Sequence, residues 1–195
     1  MTKIIYIEGN IGVGKTTLVN MLKMKEIQNC IFIDEPFYDE KELFDNYYAD
    51  MKRWAMTFQI YIRHKRYEKL KKELNFNYDY IIMDRSPETD KNVFAKMLYD
   101  KHIMTDIEWK IYNTLNYNII NETKTIYLYC SPEIALNRIH KRNRLQESGI
   151  TLEYLKEVEN YHEKYINSLK NVMYIDCNKD FNNDDNLINK IINFI

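Results

Sequence analysis

Short apolar runs rich in β-branched residues recur along the chain, separated by longer stretches whose apolar positions follow helical spacing. The runs Lys3–Glu8, Cys30–Asp34, Tyr80–Asp84, Lys124–Cys130 and Val172–Asp176 predict five strands. The intervening patterns predict helices over Lys15–Lys25, Asp50–Leu74, Pro87–Leu98, Asp106–Asn121, Pro132–Arg142, Thr151–Leu169 and Asp185–Phe194. Two helix starts are well marked. Ser86-Pro87-Glu88 and Ser131-Pro132-Glu133 each supply a capping hydroxyl, a proline at the first helical position and an acid in the first turn. Strands alternating with helices specify βαβ units and a parallel sheet. No repeat, linker or shift in composition divides the chain, so residues 1–195 are expected to form a single domain.

The first strand runs into Gly9-Asn10-Ile11-Gly12-Val13-Gly14-Lys15-Thr16, followed by Thr17 and a helical pattern. This is the strand, Gly-rich loop and helix of a P-loop. Its backbone N–H groups and the positive end of the following helix suit phosphate oxygens. Lys15 is placed to reach the β- and γ-phosphates of a nucleoside triphosphate, and the Thr16 hydroxyl to ligate Mg²⁺. Only four glycines occur in the chain, and three lie in this loop. The predicted architecture is therefore α/β, a P-loop NTPase-type three-layer α/β/α fold on a five-stranded parallel sheet.

Composition narrows the partners. The 28 Lys and Arg nearly balance 29 Asp and Glu, for a net charge of −1, which gives no global field for nucleic acid. No apolar run approaches the roughly 18 residues of a membrane span. Cys30, Cys130 and Cys177 are widely spaced and lie in or beside apolar runs, which reads as buried thiols in a reducing compartment. The four histidines show no metal-binding spacing, so solvated or packing roles are expected. The first strand begins too close to Met1 for a signal or transit peptide, and a cytoplasmic setting is expected.

Several polar residues follow the predicted strands, where open α/β sheets place their sites. Glu35, just after the second strand, precedes Pro36, which biases it towards an extended conformation and fixes the direction of its carboxylate. Such a carboxylate near a γ-phosphate suits acceptance of a hydroxyl proton. The third strand closes on Asp84-Arg85-Ser86, a Walker B arrangement in which Asp84 helps to hold Mg²⁺. Arg85 either neutralises charge on a transferring phosphoryl group or pairs with neighbouring carboxylates. Gln59 and Arg66 share a face of one long helix, and Asp90 and Phe94 lie one turn apart on another. With Phe58 they are candidates for a slot that stacks on a base and reads its edge. Arg138, Arg142 and Arg144 form a cationic segment running to Gly149, suited either to close over a triphosphate or to a solvated helix end.

Taken together, these stretches resemble the deoxyribonucleoside kinases, particularly the deoxycytidine, deoxyguanosine and deoxyadenosine kinase group. The likeness rests on Glu8 through Thr17, Glu35-Pro36, Tyr48 through Tyr61, Asp84-Arg85-Ser86, Arg138 through Gly149 with Leu152 to Leu155, and Ile175 through Phe181. It implies transfer of the γ-phosphoryl group of ATP, with Mg²⁺, to the 5′-hydroxyl of a deoxyribonucleoside. Glu35 then matches the general base and Arg85 the arginine beside it. Tyr48 and Glu147 match the pair on the sugar 3′-hydroxyl, and Gln59 the glutamine that pairs with the base. Phe58 and Phe94 match the enclosing aromatics, with Trp54 alongside. Arg138, Arg142 and Arg144 fall on a lid spanning about 138–149, and Asp180 and Phe181 on the loop that meets the donor adenine.

The resemblance further implies that Arg66 and Asp90 favour deoxycytidine and purine deoxynucleosides over thymidine, whose methyl group they would crowd. It also implies a homodimer, through helices of the kind at Asp50–Leu74 and Asp106–Asn121. Asp84 departs from the Glu usual in the animal enzymes, and Tyr47 from a methionine in deoxycytidine kinase. Two alternatives stay open at this stage: a nucleoside monophosphate kinase of the thymidylate kinase kind, and a non-catalytic P-loop module.

Overall fold

The computed structural model describes residues 1–35, 41–115, 117, 119, 121–144, 147, 149–182 and 184–195. Strands β1 (Lys3–Gly9), β2 (Cys30–Ile33), β3 (Tyr80–Asp84), β4 (Thr123–Tyr129) and β5 (Val172–Asp176) pair in parallel, in the order β2-β3-β1-β4-β5. The central strand is apolar on both sides because both faces are covered. Ile5 and Ile7 pack with Ile82, Ile126 and Leu128 beneath Leu18 and Leu22 of α1 (Lys15–Lys23), Ala135 and Ile139 of α7 (Pro132–Arg142), and Ile188 and Ile191 of α9 (Asp185–Phe194). Ile4 and Tyr6 pack with Ile81 and Met83 on the other face, against Leu70 of α3 (Met51–Glu73). The predicted three-layer α/β/α fold on a five-stranded parallel sheet is the one observed.

Topology places the site. From β1 the chain crosses to edge strand β2, fills the gap with β3, then crosses β1 to build β4 and β5. The strand order thus reverses at the carboxyl end of β1, where open parallel sheets leave a crevice. Register brings the strand ends together there, with Ile7 opposite Asp84 and Gly9 opposite Leu128.

The helices depart from expectation in three places. A helix not expected from the sequence, α2 (Lys41–Ala49), buries Phe44 and Tyr47. Its apolar residues Leu43, Phe44, Tyr47 and Tyr48 do recur at a one-turn interval, but the segment is short, at nine residues. The helix expected over Asp106–Asn121 is only α6 (Asp106–Thr114), because Leu115 turns extended at φ −69°, ψ 102°. The Leu115 carbonyl accepts from Arg63 Nη1 at 3.4 Å instead of continuing the helix.

The third departure lies after β3. The predicted Pro87–Leu98 helix is α4 (Pro87–Thr89), a π-helical turn over Asp90–Ala95, and α5 (Lys96–Asp100). Short π-helical segments of this kind often occur at functional sites. The remaining helix, α8 (Leu152–Ile166), begins at Thr151, whose hydroxyl accepts from the Tyr154 N–H. Cys130 and Cys177 are buried free thiols as expected, whereas Cys30 is only partly buried. Among the described residues no helix is long and apolar enough to cross a membrane.

Candidate active site

The loop after β1 is shaped by steric demand. Gly9 has φ 143°, and a Cβ there would lie 2.3 Å from the Leu128 carbonyl oxygen of β4. Gly12, at φ 83°, approaches α7 so closely that a Cβ would lie 2.6 Å from the Ala135 oxygen. Only glycine combines positive φ with that proximity. Asn10 secures the loop from within: its amide donates to the Leu155 carbonyl of α8 at 2.8 Å and its oxygen accepts from the Ile11 N–H. Gly14 begins α1 without a side-chain cap, so the helix start can present N–H groups to an anion.

Lys15 folds back on this loop, donating to the carbonyls of Asn10 at 2.8 Å and Gly9 at 3.2 Å. Burial, reinforced by Arg85, lowers its pKa to about 8. Thr16 Oγ1 donates to Asp84 Oδ2 at 3.3 Å. Asp84 Oδ1 is buried without a hydrogen-bond partner among the described residues. Burial raises the Asp84 pKa, against the pull of Lys15. A hydroxyl and a carboxylate with a free buried oxygen suit Mg²⁺, which takes few protein ligands and fills its octahedron with phosphate and water. No group of three or more His, Cys, Asp or Glu poised to hold a metal occurs among the described residues.

The loop opens into a cavity of about 580 Å³, whose walls carry Ile11, Gly12, Gly14, Lys15, Thr16 and Thr17. Across it lie Glu35, Gln59, Arg66, Arg85, Asp90 and Phe94. Gly9, Asn10, Val13 and Asp84 are buried and do not line it. The residues expected at a phosphate donor and those expected at an acceptor therefore border one space.

Four charged side chains form the floor of the second half. Arg66, from α3, donates through Nη2 to Glu35 Oε1 at 2.6 Å and through Nη1 to the Asp84 carbonyl at 2.9 Å. Its Nε also lies 2.8 Å from Asp90 Oδ2, an ion contact without hydrogen-bond alignment, since both atoms lack a hydrogen-bond partner. Arg85 Nε approaches the same Glu35 oxygen at 3.5 Å. Burial works to raise the Glu35 pKa, but Arg66, Arg85 and Lys15 outweigh it and hold the carboxyl well below the usual range. Burial pushes Asp90 up to about 6, with Arg66 and Arg85 pulling against it.

Arg85 stands apart from ordinary surface arginines. Its backbone is left-handed, at φ 68°. Its N–H donates to the Ile7 carbonyl, and the next N–H, of Ser86, donates to buried Glu8 Oε1 at 2.8 Å. The guanidinium lies over the Phe94 ring at 4.9 Å and meets His162 Nε2 at 3.2 Å. Neither Glu8 nor His162 is among the site residues expected from the sequence, where His162 is expected only to be solvated or to pack. Both lie far along the chain from Arg85, and no local spacing connects them.

Aromatic residues line the side walls. Phe58 stacks on Tyr47, with ring centroids 4.2 Å apart, and meets Phe44 edge-on. Trp54 does not line the cavity; it packs with the Tyr47, Ala55 and Leu98 cluster and carries Arg53 over its ring. Although it shares a face of α3 with Phe58 one turn on, it packs against Tyr47 of α2 and Leu98 of α5 rather than bordering the cavity, which corrects its expected place beside the nucleoside.

The cationic segment divides. Arg138 lines the cavity, yet its guanidinium donates to the carbonyls of Val13 at 3.2 Å and Cys177 at 2.7 Å, tying the loop after β1 to the loop after β5. Arg138 thus tethers the two loops while bordering the cavity beside Lys15 and Thr16. Arg142 makes a two-pronged contact with Glu147, and Arg144 Nη1 lies 3.8 Å from the same carboxylate. Tyr48 faces them at the rim; burial and then the Glu147 charge raise its hydroxyl pKa to about 12. Asp180 and Phe181 border the cavity beside the loop, Phe181 touching Gly14. Of the residues expected around the site, Pro36 and part of the predicted lid (Leu145, Gln146 and Ser148) lie outside the described residues.

Comparison with known proteins agrees with this arrangement. A family model described as deoxynucleoside kinase matches residues 5–195. A probable deoxycytidine kinase of fowlpox virus (strain NVSL) is 34% identical, over 99% of this chain and 86% of its own. The deoxycytidine kinase of Bos taurus is 31% identical, over 99% of this chain and 91% of its own. A solved deoxyadenosine kinase from M. mycoides, with the products dCMP and a flexible dCDP bound, superimposes with a TM-score of 0.83 at 27% identity, covering 98% of this chain and 100% of that one. With a P-loop NTPase-type fold and a family match over nearly its whole length, the chain belongs to the deoxynucleoside kinase family.

Proposed function

We propose that this kinase transfers the γ-phosphoryl group of ATP, with Mg²⁺, to the 5′-hydroxyl of a deoxyribonucleoside, preferring deoxycytidine and purine deoxynucleosides to thymidine. The observation that carries the reading is Glu35: an ionised carboxylate held by Arg66 at 2.6 Å, in the same cavity as Lys15 and Thr16. A carboxylate is suited to receive a hydroxyl proton, whereas an acceptor already bearing a phosphate would be repelled by it. The deoxyadenosine kinase that shares this fold has dCMP bound as a product, the monophosphate that a nucleoside acceptor yields, which supports a nucleoside acceptor here.

In this mechanism the N–H groups of the loop and Lys15 hold the triphosphate, while Thr16 and Asp84 would hold Mg²⁺, which would supply positive charge to the phosphates. Glu35 orients the 5′-hydroxyl for in-line attack and takes its proton. In the loose transition state of such transfers the hydroxyl becomes acidic late, so a base of low pKa suffices. Arg85, beside Glu35, meets charge developing on the transferring group. Phe58 and Phe94 enclose the base, Gln59 pairs with its edge, and Tyr48 with Glu147 holds the 3′-hydroxyl. Glu147 becomes available to the sugar when Arg142 leaves it for the triphosphate.

Arg66 and Asp90 set the preference, because polar groups at the end of the slot reward exocyclic amino and carbonyl groups and crowd a methyl. Initial rates with ATP and Mg²⁺ for deoxycytidine, deoxyadenosine, deoxyguanosine and thymidine test this. Thymidine is expected to have the lowest kcat/KM; thymidine as the best substrate would overturn the preference.

A further inference from the structure

His162 on α8 is fully buried, at 0% exposure, between the Phe94 ring at 6.1 Å and the Tyr127 ring at 6.1 Å. Its Nε2 lies 3.2 Å from Arg85 Nη1. An arginine has donors only, so Nε2 is the acceptor and the ring proton of the neutral imidazole sits on Nδ1. Burial, then the charges of Arg85 and Lys15, hold the ring well below its ordinary pKa. The Nδ1 atom has no hydrogen-bond partner among the described residues. A buried N–H left unpaired is unfavourable to folding, so a histidine here is a poor choice for packing alone. Its evident effect is on Arg85.

The geometry points to His162 as a positioning residue for phosphoryl transfer, a neutral acceptor that aims the Arg85 guanidinium at the point where Glu35 and the transferred group meet. Neutrality is the chemical advantage. A carboxylate in its place would fix Arg85 equally well but cancel the positive charge that the transition state needs. Imidazole fixes direction and leaves the charge available. The left-handed backbone at Arg85, clamped by Ile7 and by Glu8 through Ser86, sets where the side chain starts; His162 and Phe94 set where it ends. The inference rests on the proposed role of Arg85 in a deoxynucleoside kinase.

The test compares His162→Gln, whose amide oxygen falls near the Nε2 position, with His162→Met, similar in shape but without that acceptor. Both are made in the native chain and with Arg85→Ala, and kcat, KM for ATP and melting temperature are measured on the best deoxynucleoside. In the native background Met is expected to lower kcat about 10- to 100-fold, as a misplaced catalytic group does, with KM for ATP unchanged. Gln is expected to restore most of the rate. With Arg85→Ala the two variants should have equal kcat, because the group they position is gone. If the Met variant does not fold, His162→Asn, polar but too short to reach Arg85, replaces it with the same expected loss. Equal kcat for the Gln and Met (or Asn) variants beside Arg85, or an undiminished difference without it, overturns the inference alone. A native chain that phosphorylates no deoxynucleoside overturns the proposed function, and this inference with it.

Discussion

At the loop after β1 the chain is shaped by what glycine permits, whereas across the cavity it is shaped by charges that hold one another. Gly9 and Gly12 stand where a Cβ would collide with backbone carbonyls of β4 and α7. Opposite them, Glu35, Arg66, Asp90 and Arg85 come from three separate regions of the chain and meet only in the fold. In the proposed function the first half binds a group common to all nucleoside triphosphates, and rigid backbone serves it. The second must distinguish one small molecule from another, and side chains can be exchanged to do so. Substitutions in the two halves should therefore fail differently.

The largest effect is expected at Glu35. Glu35→Ala should lower kcat by about 10² to 10⁴-fold while leaving ATP affinity within a few-fold, measured by steady-state rates and calorimetric titration. Loss of ATP binding instead would erase the division between the halves. Gly12→Ala probes the other half, since its Cβ meets the Ala135 oxygen at 2.6 Å with φ 83°. The loop must shift, and ATP affinity should fall about 10- to 100-fold, with a lowered melting temperature. Unchanged ATP affinity would show that the loop has room to give.

A smaller effect is expected at Asp90, whose carboxyl is raised by burial to about 6 and faces Arg66, Arg85, Glu35 and Glu8. As pH falls through that value the carboxylate is protonated, so kcat/KM for the nucleoside should decline on the acid side. Asp90→Asn should remove that limb and narrow the margin over thymidine by about tenfold. The sign for stability is opposite. A folded-state pKa above the ordinary Asp value contributes stability that is complete below that ordinary value and is lost as pH rises through about 6. Trp54→Phe should change KM for the nucleoside less than about twofold, because Trp54 packs among helices away from the cavity. A tenfold rise would return Trp54 to the nucleoside site.

The same division explains what could be read from the sequence. The strand, loop and helix of β1 through α1 are contiguous, so local spacing suffices to place Lys15 and Thr16. Glu35 and Asp84 were legible because strand ends in parallel sheets converge. Other features depended on distant partners. Arg138 has the spacing of a phosphate ligand, but the carbonyls it binds, Val13 and Cys177, are distant in sequence. α6 stops where Arg63 takes the Leu115 carbonyl, and the α6 segment itself carries no stop of that strength. His162 gives no sign in the sequence beyond a solvated or packing role, because only the tertiary fold brings it to Arg85.

The proposed roles of Glu35 and Arg85 both require the acceptor to be a hydroxyl, not a phosphate. The measurement that tests it most directly offers ATP and Mg²⁺ together with a deoxynucleoside or its 5′-monophosphate, and resolves the products by chromatography. Deoxynucleosides should yield 5′-monophosphates, with the monophosphates left unreacted. Diphosphate formation from the monophosphates, with the nucleosides untouched, would contradict it.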